Sequence, residues 1–284
     1  MNINFVQNFI FWLQQRRAIN LLFVFAYFLF ILFMHNPLVQ VSVWVEGILS
    51  LPVYNIVIAV VFLALISVTV FLLQKKLREE TQDRKLKLIY LFLTITAIIV
   101  HSRFMFDSNI EIVHSLEYTF LAFLIFPFTR RFSAAILFTL PFMLFDEWFQ
   151  YIVLYPFLDY FDLNDIMMDT YGCGLALTVL MILGVKGASN VQPLWKRPEF
   201  ILLIGIVLLV LVAVKLCFIA PYANEACSNT LLVMNKRIVP EPFYRFHPTH
   251  NLWYHVMKPA EAFILIPLLH LFYMGLDSLR KNPT

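Results

Sequence analysis

Residues 52–74 run for 23 positions without Asp, Glu, Lys, Arg or His. A helix of about 17–25 apolar residues crosses the hydrocarbon core of a bilayer. Seven further stretches are apolar and long enough to do the same: roughly 18–34, 88–106, 112–128, 133–154, 167–185, 199–220 and 258–276. Only 14% of the chain is charged and 61% is hydrophobic, whereas a soluble domain of this size needs a largely polar exterior. That balance excludes an ordinary cytosolic enzyme, a disordered chain and a nucleic-acid-binding domain. The predicted fold is all-α: a polytopic transmembrane helix bundle of about eight spans, forming a single integral membrane domain over residues 1–284.

Charge sets the expected orientation. With both termini cytoplasmic, the inner segments 1–17, 75–87, 129–132, 186–198 and 277–284 hold 15 of the 21 Lys and Arg residues, and 13 of the 18 Asp and Glu residues fall outside when the boundary residue Glu199 is counted as inner. This is the bias of the positive-inside rule. The net charge of +3 is then the difference between about +10 inside and about −7 outside. The first span follows Arg16 and Arg17, is expected to end at His35-Asn36-Pro37, and carries no small-residue cleavage site, so it reads as a retained span. Residues 1–17, with Phe5, Ile10, Phe11, Trp12 and Leu13, are expected to form an interfacial N-terminal helix.

The one long outer loop, 221–257, contains Pro240, Pro242 and Pro248, which disfavour a long helix. Its His247, His250 and His255 match no standard zinc spacing, and a hydrated loop surface is the simpler reading. Lys236, Arg237 and Arg245 are suited to a phosphate. Cys217 and Cys227 lie near the same face, where a disulfide and two free thiols are equally compatible with the sequence. Lys215 and Cys217 are expected to snorkel and pack at the outer end of the seventh span. The inner run Glu79-Glu80-Thr81-Gln82-Asp83-Arg84 spells a motif of intramembrane prenyl proteases, but the segments that echo the remaining motifs lie on the opposite side. It reads as a solvated loop.

Ionisable groups inside spans are costly and default to functional candidates. They gather at the outer ends of the fourth to sixth spans. His114, Glu117, Tyr118 and Leu121 follow i, i+3, i+4, i+7 spacing and share one helix face. Asp146, Glu147 and Gln150 close the fifth span. The outer turn supplies Asp159, Asp162 and Asp165, and Asp165, Asp169 and Gly172 share a face. Short connections make these helices neighbours, so their polar faces should converge on one acidic, outward-facing cavity. Crowded carboxylates need protons, a cationic partner or a bound cation. His101 and Arg103 are candidate partners, Glu261 enters from the eighth span, and His270 is expected to hydrogen-bond a neighbour. Gly172 and Gly174 allow close helix approach. A network that merely locks the helices together is the plainer alternative.

These residues resemble the VanZ-like membrane proteins. That family carries His-x-x-x-Tyr at the start of one helix, Glu-x-x-Gln closing the next, and Asp-x-x-x-(Asn/Asp)-x-x-Gly after an external turn. Here they read as His114 to Tyr118, Glu147 to Gln150 preceded by Asp146, and Asp165 to Asp169 to Gly172. The resemblance covers about residues 100–185. Ile110 and Glu111 stand where members often have Asp-Lys, the turn keeps Pro156 without an Arg, and Glu117 adds a carboxylate. The resemblance implies a role at the outer face of a bacterial cytoplasmic membrane, with a link to resistance against teicoplanin-type lipoglycopeptides.

The leading expectation is a site that binds or modifies an amphiphile at the outer leaflet: a membrane lipid, a lipid-linked cell-wall precursor or a lipoglycopeptide. If catalytic, Glu147 or Asp169 serves as general base and His114 as acid or metal ligand, with Glu117 beside them. Tyr118, Asp146, Gln150, Asp165, Arg103 and Arg245 are the binding candidates. A divalent cation shared by Glu147, Asp165 and Asp169 would relieve the charge crowding. The alternatives are a proton-coupled lipid or small-solute carrier, or a non-catalytic subunit that docks a partner through 221–257. Whether the protein is an enzyme is left open by the sequence.

Overall fold

The computed structural model describes residues 3–79, 83–106, 109–185, 192–237, 243–247 and 252–279. Among the described residues, a short first helix, α1 (Ile3–Gln15), precedes eight helices long and apolar enough to cross a membrane. These are α2 (Arg17–Leu49), α3 (Leu51–Glu79), α4 (Arg84–Met105), α5 (Ile112–Thr129), α6 (Phe132–Phe149), α7 (Leu163–Ile182), α8 (Pro198–Lys215) and α9 (Pro259–Met274). The protein is therefore a multi-pass membrane protein of the all-α class.

The span count matches expectation, but three boundaries move for local reasons. Pro37 does not end the first span; it lies inside the 33-residue α2. A proline removes one N–H, and within a membrane helix local adjustment and neighbouring groups accommodate the loss. The sixth span starts at Leu163 because Asp162 caps it, accepting from the Asn164 N–H at 2.9 Å. Asp165 thus belongs to the first turn of α7, not to the loop. The seventh span stops at Lys215, short of 220. Cys217 adopts φ 59° and is joined to Cys227.

The centre of the bundle is α7, almost wholly buried, with α4, α5, α6 and α9 around it. Glycine permits the tightest crossings. A Cβ at Gly172 would overlap the Ser115 carbonyl of α5, and one at Gly174 would enter the Tyr273 ring of α9. Thr119 then donates to the Gly172 carbonyl at 2.9 Å. At the periphery, α3 and α8 expose most of their apolar surface, as suits contact with lipid.

The two ends of the bundle differ. At the end where α5, α7 and α9 finish, Arg131 pairs with Glu199 at 3.1 Å. Both carboxylate oxygens of Asp277 accept from the first N–H groups of α6, Phe132 and Ser133, at 2.9 Å each. That placement stabilises the orphan donors and positive pole of a helix start. Arg197 closes the same network on Asp277, the Met274 carbonyl and Ser278. Here α1 buries Ile10 and Leu13 and leaves Phe5 and Phe11 exposed, while Arg130 donates to the Gln14 carbonyl. Lys186, Arg280 and Lys281, placed at this end by sequence, lie outside the described residues.

The opposite end is covered by the segment after α8. A parallel pair, β1 (Ile219–Ala220) and β2 (Leu232–Val233), and an antiparallel pair, β3 (Arg245–His247) and β4 (Leu252–Tyr254), form in it. The segment is fastened to the helix ends. Lys236 donates to the carbonyls of Pro156 and Leu158 at 3.0 and 2.8 Å, and Arg237 pairs with Asp159 at 3.0 Å. Asn164 is the hub. Its amide donates to the Met105 and His255 carbonyls and its oxygen accepts from the Met257 N–H. The loop prolines Pro240, Pro242 and Pro248, together with His250, lie outside the described residues, as does the His247 side chain. His255 is buried, not hydrated. Its ring contacts the Phe243 carbonyl at 2.5 Å and Glu261 at 2.7 Å.

Candidate functional site

Three helix ends and one helix middle build the site. A 3-10 turn, Asn109–Glu111, leads into α5 and sets Glu111 one turn before His114. Asp165 and Asp169 stand one turn apart on α7. The end of α6 supplies Asp146 and Glu147 and passes into a π-helical turn, Gln150–Leu154, closed by the Tyr155 N–H on the Gln150 carbonyl at 2.7 Å. Such turns rotate the side chains that follow them and recur at functional sites. This one brings Gln150, Tyr151 and Tyr155 to the same cavity. The fourth contributor is His35, from the middle of α2.

His114 is the centre. Its Nδ1 lies 3.3 Å from Asp169 Oδ1, and its Nε2 lies 3.7 Å from both Glu111 Oε2 and Asp165 Oδ2. Tyr118 donates to Asp146 Oδ2 at 3.2 Å, and Gln150 donates to Glu147 Oε1 at 3.4 Å. All these side chains except Glu111 are buried, and Asp146 and Asp169 are 0% exposed. Among the described residues, neither oxygen of Asp169 has a hydrogen-bond partner, nor do Asp146 Oδ1 and Asp165 Oδ1. Burying charged groups without partners is costly, so these carboxylates need protons, a cationic partner or a bound cation.

A cavity of about 330 Å³ opens onto this cluster. Glu111, Glu147, Gln150 and Asp165 give it a polar floor, and Tyr151, Tyr155, Phe157 and Tyr160 give it aromatic walls. Tyr254, from β4, closes part of the roof. Burial, and then the nearby Glu111 carboxylate, raise the pKa of the Tyr155 hydroxyl above its ordinary value, so Tyr155 stays neutral, and its hydroxyl donates to Asn36 Oδ1 at 3.5 Å. A second, mostly apolar cleft of about 260 Å³ lies between α2, α3 and the start of α5. It shares His35, Val39 and Glu111 with the polar cavity.

The structure brings most of the expected residues together. His114, Tyr118, Asp146, Glu147, Gln150, Asp165 and Asp169 converge as the helical spacing implies. Glu117 belongs to a different wall: it is half-buried and lines the α2–α3 cleft with His35 and His114. Arg103 is exposed, its guanidinium over the Phe104 ring. His101 turns to the Asn164 carbonyl at 3.1 Å, where it supports the start of α7. Arg245 is buried against the Tyr160 ring at 5.2 Å, behind the cavity wall. Glu261, expected to join the acids, instead binds His255 and the Lys258 N–H. His270 bonds the Ile266 carbonyl of its own helix. Among the described residues, the carboxylate groupings that could hold a cation are Glu111–His114–Asp165 and His114–Asp146–Asp169. Both include His114.

The sequence reading missed His35. Its ring lies 5.7 Å from that of His114 and 5.8 Å from that of Tyr155. The signal was available, since a histidine within an apolar run is an ionisable group at membrane depth. Reading Pro37 as a helix end placed His35 in a loop and hid it.

Compared with known proteins, residues 53–184 match the family model described as VanZ/LLP1. The match reaches further toward the N-terminus than the motif-bearing segment, taking in α3 and α4 as well as α5 to α7. No curated protein and no solved structure matches the chain.

Proposed function

We propose that this VanZ-like multi-pass membrane protein binds an amphiphile at the membrane surface, with the polar end in the acidic cavity and the apolar part in the α2–α3 cleft. The observation that carries the reading is the shared wall: His35, Val39 and Glu111 line both spaces. A polar chamber joined to an apolar slot is the shape complement of a lipid, a lipid-linked cell-wall precursor or a lipoglycopeptide. Pockets of a few hundred Å³ with a small set of convergent polar groups are the usual form of small-molecule sites.

The membrane in this reading is the bacterial cytoplasmic membrane, and the cavity faces outward. Support comes from the charge asymmetry of the two ends and from the Cys217–Cys227 bond in the segment after α8 that covers this end of the bundle, since disulfides persist in oxidising compartments. A role in the cell envelope, including resistance to lipoglycopeptides, follows the same logic. Glu147 and Asp169 remain the general-base candidates if the bound amphiphile is also modified.

The test is native mass spectrometry of the protein in nanodiscs made from bacterial lipid, comparing wild type with Glu147→Gln and Tyr155→Phe. Loss of a co-purifying amphiphile in both variants, with Arg237→Ala unaffected, is the expected result. Identical bound species in all four proteins would overturn the reading.

A further inference from the structure

We infer that a divalent transition-metal ion binds on the open side of His114, held by Nε2 and by carboxylate oxygens of Glu111 and Asp165. The spacing supports a metal over a hydrogen bond. His114 Nε2 is 3.7 Å from both Glu111 Oε2 and Asp165 Oδ2, beyond the roughly 2.7–3.2 Å of an N–H···O bond. Ligand atoms held about 2.0–2.2 Å from a metal stand roughly 3.0–3.6 Å from one another. The two separations from Nε2 thus stand close to what a shared ion imposes, and each of the three residues offers a ligand atom within 4.8 Å of the others.

A second observation is independent of the acids being clustered. Asp165 is 6% exposed and lines the cavity, yet among the described residues its Oδ1 has no hydrogen-bond partner. Oδ2 is the oxygen facing His114 Nε2, so a cation held by both oxygens of this carboxylate supplies the missing partner. The other edge of the imidazole is also in place. Asp169 Oδ1 lies 3.3 Å from Nδ1, an ion-pair contact on the side where metal-binding histidines commonly face a carboxylate.

The alternative grouping, His114–Asp146–Asp169, is buried throughout, and Asp146 already accepts from Tyr118. The open grouping has an entry path, because Glu111 and Asp165 line the 330 Å³ cavity. Three protein ligands on one side leave the cavity side of the ion for water or a bound ligand, the pattern of reactive rather than structural metal centres. One imidazole with two carboxylates suits Zn²⁺ or Mn²⁺ better than Ca²⁺ or Mg²⁺, which favour all-oxygen sets. Relative to the trio expected from sequence, the site keeps Asp165 and takes Glu111 and His114 in place of Glu147 and Asp169.

The ion and the amphiphile use neighbouring surfaces, but the metal site stands without the amphiphile. The experiment measures metal alone on the full chain in detergent, stripped with chelator, dialysed against Zn²⁺ or Mn²⁺ and read by elemental analysis and calorimetric titration. Wild type should retain about one equivalent. Glu111→Gln and Asp165→Asn should each weaken binding by more than about tenfold, and Asp146→Asn should not. Glu111 is half-exposed, so Glu111→Gln should keep the wild-type melting temperature and separate metal loss from misfolding. Wild type that retains no metal would overturn the proposal, as would Glu111→Gln and Asp165→Asn binding as tightly as wild type. Loss in Asp146→Asn with Glu111→Gln unaffected would also overturn it, by moving the ion to the buried side. Each of these results leaves the mass-spectrometric test of the amphiphile reading intact.

Discussion

The imidazole rings of His35 and His114 lie 5.7 Å apart, centroid to centroid, although one belongs to the middle of α2 and the other to the first turn of α5. His35 therefore stands where the polar cavity meets the apolar cleft. Replacing it with alanine widens that junction and removes one of the groups facing His114. The expected outcome for His35→Ala is amphiphile binding weakened by roughly tenfold, equivalent to about 1.4 kcal/mol. Thermal stability should change little, because the ring borders open space. Titration with a fluorescent lipid in nanodiscs, beside a melting curve, checks both halves. Unchanged binding would show that the cleft does not communicate with the cavity.

Gly172 is the position where the bundle has least tolerance. The Ser115 carbonyl occupies the space a Cβ would need, and both partners are helix backbone that cannot swing aside. Gly172→Ala should destabilise by about 3 kcal/mol or more, at the upper end of overpacking effects. Gly205 on lipid-facing α8 has open space around it. There the same change should be neutral or stabilise by up to about 1 kcal/mol through helix propensity. Unfolding both variants in mixed detergent micelles distinguishes them, and equal stability would contradict the close α5–α7 crossing.

The convergence of His114, Asp146, Asp165 and Asp169 was legible in the sequence because it rests on local arithmetic. Helical spacing fixed each face, and short connections made α5, α6 and α7 neighbours. The convergence on Gly172 was legible for the same reason. What escaped was decided by tertiary contact. His35 joins the site only because α2 continues through Pro37. Arg103 and His101 share the end of α4, yet one faces outward and the other the Asn164 carbonyl, a choice that pattern alone does not make. Glu117 satisfies the spacing rule with His114, but that face is wide, and α2 and α3 claim its outer edge. His255 was taken for a solvated loop residue because its partners, Glu261 and the Phe243 carbonyl, come together only when the loop folds back.

Cys217 and Cys227 enclose a short loop that contains β1, while Cys173 is buried within α7 and contacts the Tyr118 carbonyl. A membrane-impermeant maleimide applied to intact cells should therefore not label the protein until reductant is added, and should then add two labels. Cys227→Ser should leave one thiol at the outer face that labels without reductant. Its melting should drop by about 2–3 kcal/mol equivalent, the range for a short disulfide loop. Labelling of wild type before reduction would show free thiols, and labelling only after permeabilisation would reverse the proposed orientation.

Asn164 sits one residue from the site acid Asp165 and ties three chain segments together through the Met105 carbonyl, the His255 carbonyl and the Met257 N–H. Its own carbonyl contacts His101. Asn164→Ala would remove the side-chain partner of three backbone groups, at about 1–3 kcal/mol for each that water cannot reach. The protein has a cheaper response, which is to lift the 252–258 segment and hydrate those groups. That movement carries Tyr254 away from the cavity it roofs. Hydrogen exchange should therefore accelerate sharply in residues 252–258 and at the start of α7, while α5 stays protected. Amphiphile binding should weaken through faster release, with little change in association. Global unfolding with uniform loss of protection would mean that Asn164 holds the whole bundle together. Selective opening would identify the roof as the element that retains the ligand.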